Sequence, residues 1–228
     1  MAIVGGPDQI VTDGLIFALD PINSRSYVSG SATVTDQIGG KSGTVQGSGL
    51  GVVPLNGLWD MDQSSDTGII FIENADFNFG TEDFAVDIWM RADSSANTGG
   101  QITRIICGDK STNSTDWLVY YPGTYINWYS GGIKSQIAVD AGVLYHIVFS
   151  RISGTIKGYR DGVEVDSDSF TNNLNGTTGL GIGRTIRTGY TNAATLNGAV
   201  GPVKIYKGKG LTEPEVLQNY NALKDRFI

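Results

Sequence analysis

The chain has 228 residues, 32 of them glycine, with 40% hydrophobic residues and a formal net charge of −7. This is a globular composition, long enough to bury about 70% of the surface that an unfolded chain exposes. The acidic balance, with Lys and Arg scattered rather than clustered, excludes a nucleic-acid groove and disfavours anionic membranes.

The one cysteine, Cys107, allows no internal disulfide and reads as a small buried hydrophobe. Residues 1–228 read as a single all-β domain, because β domains of this length are commonly one unit. Met1–Gly6 lacks a basic region followed by an apolar core, so no secretory leader is expected. No apolar run approaches the ~20 residues of a transmembrane helix. The expectation is a soluble protein made in the cytoplasm.

In chain order, Asp13–Asp20 is an apolar strand stopped by Pro21. Residues 29–51 are rich in Gly, Ser and Thr, with strand-like pieces at Ala32–Gln37 and Gly43–Gln46. Gly68–Glu73 is a compact β-branched strand. Phe84–Arg91 alternates, with Phe84, Val86, Ile88 and Met90 on one face and Asp87, Trp89 and Arg91 on the other. Gln101–Gly108, Trp117–Tyr121, Tyr125–Tyr129 and Ile133–Val139 follow, with a turn at Pro122-Gly123. Val143–Arg151, Thr155–Arg160 and Val163–Asp166 predict a three-strand meander. Its turns are Ser153-Gly154 and Asp161-Gly162; the second carries the stronger signal, since a type I′ turn needs positive φ at both central residues. Gly179–Arg184 and Leu196–Tyr206 close the β region. About a dozen short strands separated by turn signals form the pattern of a sandwich or barrel.

One helix is predicted, over residues 212–226. Thr212 is its N-cap, Pro214 sits in the first turn and Glu215 completes a capping box. Val216, Leu217, Tyr220, Leu223 and Phe227 fall on one stripe, which should pack against the sandwich.

These segments resemble a concanavalin A-like, LamG-type jelly roll. The likeness is carried by Asp13–Asp20, Gly80–Met90, Leu144–Ser150 with Lys157–Val165, Leu180–Arg184, Gly198–Tyr206 and Leu211–Tyr220. It implies an antiparallel jelly-roll β-sandwich with a short C-terminal α-helix. Ile10–Leu15 and Glu215–Lys224 are similar, more narrowly, to single-domain LamG proteins that are virion structural components of tailed bacteriophages. That resemblance implies a non-enzymatic capsid decoration, fibre or tail component. It would sit in the virion, contact other virion structural proteins and self-associate. Related domains carry apolar residues along the strand held here by Ile156, Gly158 and Arg160; this departure points to a bulge, an edge or a close backbone approach.

No catalytic residue is expected. Glucanases of the superfamily use an E-x-D-x-x-E strand, and Glu164-Val-Asp166-Ser-Asp168 comes nearest, with three acids read on one face. Ser169 stands where the second Glu belongs, which leaves a solvated acidic face as the simpler reading. His146 reads as a hydrogen-bonded sheet residue, with no nucleophile elbow about any serine. Gly179–Gly183 precedes no helix and is not a dinucleotide fingerprint. Asp60, Asp62 and Asp66 offer oxygen ligands for Ca²⁺ without the order of an EF-hand loop, and no cofactor is expected.

The best ligand-site candidate is aromatic: Trp117, Tyr121, Tyr125, Asn127 and Trp128, with Asp116, Tyr120 and Tyr129 nearby. Sugar rings stack on flat aromatic faces while amides and carboxylates fix hydroxyls. Two readings stand for this cluster. It fills the core or an interface, or it binds host-surface glycans as a lectin-like adhesion module. A glycoside hydrolase is the third and least supported function.

Overall fold

A computed structural model describes residues 9–47, 50–53, 57–72, 75–93, 103–108, 114–186 and 195–227. The readings at Met1–Gly6, Glu73, Gln101 and Ile102 lie outside the described residues.

The first half of the chain contributes β1 (Leu15–Leu19), β2 (Thr33–Thr35), β3 (Ser42–Gln46), β4 (Gly51–Val53), β5 (Leu58–Met61), β6 (Gly68–Ile72), β7 (Phe84–Ala92) and β8 (Thr103–Cys107). The second half contributes β9 (Leu118–Tyr121), β10 (Tyr125–Tyr129), β11 (Ile133–Ala138), β12 (Leu144–Ile152), β13 (Thr155–Arg160), β14 (Val163–Ser169), β15 (Gly179–Ile182) and β16 (Gly198–Lys207). Helix α1 (Glu213–Lys224) follows. The strands form two antiparallel sheets packed face to face, a concanavalin A-like sandwich. One sheet has the order β14-β13-β12-β7-β16-β5-β4, with β1 also on β16; the other runs β11-β10-β9-β8-β15-β6-β3-β2. The β4–β5 pair has no counterpart among the strands expected from the sequence.

The meander forms as expected. Ser153-Gly154 and Asp161-Gly162 all take positive φ, the backbone of type I′ turns. β7 keeps its alternation: Phe84, Val86, Ile88 and Met90 enter the core between the sheets. Strand β16 spans the width of the sandwich by changing neighbours. Val200 is the last of its residues on β5 and Val203 the first on β1, and its register with β7 shifts between them. Gly201 and Pro202 occupy that shift, where a residue without an N–H costs no ladder bond.

The helix seals the outer face of the first sheet. Glu215 accepts both the backbone N–H and the hydroxyl of Thr212, at 2.9 and 2.8 Å, so the capping box closes. Beneath α1 lies a fully buried polar cluster centred on Asp87. It accepts from Lys204 Nζ at 2.9 Å and from Asn219 Nδ2 at 2.7 Å. His146 Nε2 lies 3.1 Å from the same carboxylate, at ion-pair distance but too oblique for a hydrogen bond. Burial alone would raise the Asp87 pKa; the adjacent Lys204 and His146 outweigh it and hold the carboxyl well below its ordinary range. Asn219 also accepts from the Val11 amide at 2.8 Å, and Tyr206 donates to the Val11 carbonyl at 3.0 Å. The segment before β1 and the helix are thereby locked to one another. Of the predicted apolar stripe, Val216 is buried and Leu217 is 43% exposed, while the polar Asn219 takes a central place.

Candidate functional site

Alternation along β9 and β10 divides the aromatic cluster. Trp117, Tyr121 and Trp128 point inward and are at most 1% exposed. Trp117 stacks on Trp128 with centroids 5.2 Å apart and planes 3° from parallel, and Phe84 also stacks on Trp128 at 5.0 Å. Trp117 Nε1 donates to the Phe77 carbonyl at 3.1 Å, so even its polar edge is engaged. These three residues are core, and a sugar has no access to them. That corrects the expectation of a stacking platform at Trp117, Tyr121 and Trp128.

Tyr125 and Asn127 take the opposite, outward face. Asn127 sits across from Tyr120 on β9 and from Gln136 on β11. Its Oδ1 accepts from Gln136 Nε2 at 3.1 Å, which pairs two amides on the outer surface. Asn127 itself is buried at 1%, Gln136 is exposed, and Tyr125 presents its ring at 43% exposure. Tyr125 is two residues from Asn127 on the same face, about 7 Å along the strand.

Around the rim of β11 this surface continues into a groove of about 230 Å³ between β11 and β14, lined by Lys134, Ser135, Gln136, Asp166, Ser167 and Asp168. Asp166 Oδ2 accepts from Ser135 Oγ at 2.8 Å and from the Gln136 amide at 2.7 Å. A side chain of one sheet thus caps an edge N–H of the other, and β11 is not left as a bare edge. Gly158 makes this closure possible: a Cβ there would lie 2.8 Å from Ser135 Oγ and 3.0 Å from Ile137 Cγ1. Arg160 reaches the Ala138 carbonyl of β11. The unusual Gly158 and Arg160 therefore mark the place where the two sheets meet. A register shift between Gly158 and Tyr159 also supplies the expected bulge.

That bulge separates the acids of β14. Glu164 lies across from Tyr159 and holds Lys157 at 2.7 Å on the outer face. Asp166 lies across from Gly158 on the inner, rim side. The three acids do not share a face, because the extra residue Val165 reverses the alternation between the first two. Glu164 is thereby parted from Asp166 and Asp168, which stay together on the inner face, so the three-acid face read from the sequence does not form.

The remaining sequence candidates disperse. Asp60 lies in β5, not in a loop. Asp62 accepts from the hydroxyls of Ser65 and Ser64, and these bonds lower its pKa. Asp66 pairs with Arg184 at 3.0 Å. Among the described residues no three acidic, His or Cys side chains converge as a metal site. Cys107 is buried beside Leu118 and Tyr120 on the outer face of one sheet. His146 lies under α1 on the outer face of the other, beside Trp89 and Tyr220, so the two cannot form a nucleophilic pair. A cleft of about 560 Å³ is lined by Asp13, Asp83, Lys207, Lys209, Thr212 and Glu215 among others. Lys209 bridges Asp13 at 2.9 Å and Glu215 at 2.6 Å there, so three of the charges in its wall are engaged with one another.

Comparison with known proteins gives the same architecture. The binding domain of Paraclostridial Mosquitocidal Protein 1 superposes with a TM-score of 0.69 at 16% identity, over 92% of this chain and 52% of that one. Domain 4 of AbnA, an extracellular arabinanase from Geobacillus stearothermophilus in complex with arabinotriose, gives 0.65 at 17%, over 90% of this chain and 98% of that one. A Trypanosoma rangeli sialidase gives 0.70 at 14%, over 96% of this chain and 34% of that one. This chain thus spans about half of the toxin chain and about a third of the sialidase. No curated protein matches it in sequence. No helix among the described residues is long and apolar enough to cross a membrane. Residues 64–217 match the Laminin_G_3 family, described as concanavalin A-like lectin/glucanases superfamily. The chain belongs to that family.

Proposed function

We propose that the chain is a non-catalytic glycan-binding module that attaches a larger assembly to a carbohydrate surface. The observation that carries this reading is the strip formed by exposed Tyr125, the Asn127–Gln136 amide pair and the polar groove beyond Gln136. A flat ring beside fixed amides and carboxylates suits a sugar, which has an apolar ring face and hydroxyls around its rim. The arabinotriose complex of AbnA domain 4 supports the reading, because that domain has the same fold and nearly the same extent. Glycan-array screening followed by titration of the best ligand tests it. Tyr125→Ala and Gln136→Ala should each abolish measurable binding and leave the melting temperature in place. Undiminished binding by Tyr125→Ala would remove the site.

The virion is the setting we propose for such a module. The two segments that resemble phage proteins, Ile10–Leu15 and Glu215–Lys224, form one packed unit through Asn219 and Val11, on a different part of the molecule from the glycan strip. One end is then available for mounting while the other meets the host surface. Electron microscopy of particles assembled without this chain should lose a discrete density, and unchanged particles would overturn that setting.

A further inference from the structure

We infer that the sugars bound at the β11–β14 edge are uncharged, and that carboxylated or sulfated glycans are rejected; this inference rests on the glycan-binding reading above. The groove has two carboxylates in its wall, Asp166 and Asp168, against one ammonium, Lys134. Of the cations on neighbouring β13, Lys157 is engaged by Glu164 at 2.7 Å on the outer face, and Arg160 is committed to the Ala138 carbonyl at the other end of β11, so neither lines the groove.

Asp166 commits one oxygen, Oδ2, to Ser135 and Gln136, while Asp168 is exposed. Carboxylates accept hydrogen bonds and donate none at neutral pH. They suit vicinal sugar hydroxyls, which donate, and they repel a sugar carboxylate, which only accepts. The net charge of −7 acts in the same direction at longer range. Two like charges a few ångströms away in a wet groove weaken an anionic ligand by about tenfold at low salt. Salt of about 0.5 M should close most of that gap.

The test titrates the full-length chain with neutral arabinotriose and cello-oligosaccharides, and with sialyllactose and oligogalacturonate, at low and high salt. The expected result is binding of a neutral ligand, with the anionic ones at least about tenfold weaker at low salt. The gap should narrow in Asp168→Asn and widen in Lys134→Glu, both checked by thermal melting. Equal binding of neutral and anionic glycans, lost together in Tyr125→Ala, would overturn the charge selectivity and leave the glycan site standing. Absence of binding by any of these glycans, or binding indifferent to Tyr125→Ala, would overturn the site and the inference with it.

Discussion

Two surfaces of this sandwich carry charged residues, and they use them in opposite ways. Under α1, Asp87, Lys204, His146 and Asn219 are removed from water; Lys204 and Asn219 are bonded to Asp87 and His146 lies at ion-pair distance from it. Along the β11–β14 edge, Asp166, Asp168, Lys134 and Gln136 line an open groove, and only part of their bonding capacity is taken up within the chain. A buried charge must find its partner inside the protein, whereas a charge at a wet rim keeps capacity for a ligand. The first surface is therefore a fastening and the second an interface. The chain's polar residues do not announce which is which; the covering helix decides it.

The largest expected effect lies at the fastening. Asp87→Ala strands the Lys204 ammonium and one hydrogen-bond donor of Asn219, and should destabilise the fold by about 3–5 kcal/mol in chemical denaturation. Replacing the pair together, as Asp87→Leu with Lys204→Met, should recover much of that loss, since an apolar pair needs no partner. A full loss in the double variant would mean that the cluster holds α1 by something other than charge pairing. The same carboxylate sets an acid limit. Its native pKa lies below the ordinary value of 3.8, so on acidification the unfolded chain takes up the proton first. Its contribution is complete above about pH 4 and is lost as the pH falls towards the native value. Asp87→Asn should flatten the acid limb of the stability profile, and an unchanged limb would shift the cause to other carboxylates.

Trp128→Ala separates the two faces of β10. It removes the ring that stacks on both Trp117 and Phe84 and should cost about 3–5 kcal/mol, read as a lower denaturation midpoint. Any loss of glycan binding in that variant should follow its loss of folded protein. Binding lost from a fully folded Trp128→Ala would place the ligand in the core side of the sheet, against its 0% exposure.

Much of this arrangement is legible in the sequence. The alternation in Phe84–Met90, the two glycine turns of the meander and the capping box at Thr212 specify their elements by local chemistry alone. The departure at Gly158 and Arg160 also identifies the junction of the sheets, since a glycine in a strand commonly makes room for a neighbour. The site is less legible, for three physical reasons. Aromatic residues are dense on both faces of β9 and β10, and composition cannot say which face meets the second sheet. Alternation sets Trp117 and Tyr121 opposite Tyr120, but both sides of the strand are buried, so no local signal chooses between them. The acids of β14 read as one face because a bulge leaves no signal in the spacing of Glu164, Asp166 and Asp168. Gln136 carries no signal of its own, because an amide in the Ile133–Val139 strand matters only once β11 is an edge. The β4–β5 pair is not legible because its strands are three and four residues long, with Trp59 and Asp60 giving no clear period.

Gly158→Val tests the junction at moderate cost. The added side chain must displace Ser135 and Ile137 and should destabilise the protein by about 1–3 kcal/mol. It should also weaken glycan binding, because Ser135 and Gln136 are held in place by Asp166 across that contact. Stability lost with binding intact would show that the groove tolerates movement of β11.

Tyr125→Ala should have the smallest effect on stability and the largest on function. The ring is 43% exposed and belongs to none of the buried apolar clusters, so its removal should shift stability by no more than about 0.5 kcal/mol. Trp128→Ala, three residues along the same strand, should do the reverse. The contrast is informative because the two substitutions share a strand, a chemistry and a neighbourhood, and differ only in the face on which the side chain stands. If Tyr125→Ala destabilised the fold as much as Trp128→Ala, the outward face of β10 would itself be a packed layer, and the glycan strip would have to be sought elsewhere on the sandwich.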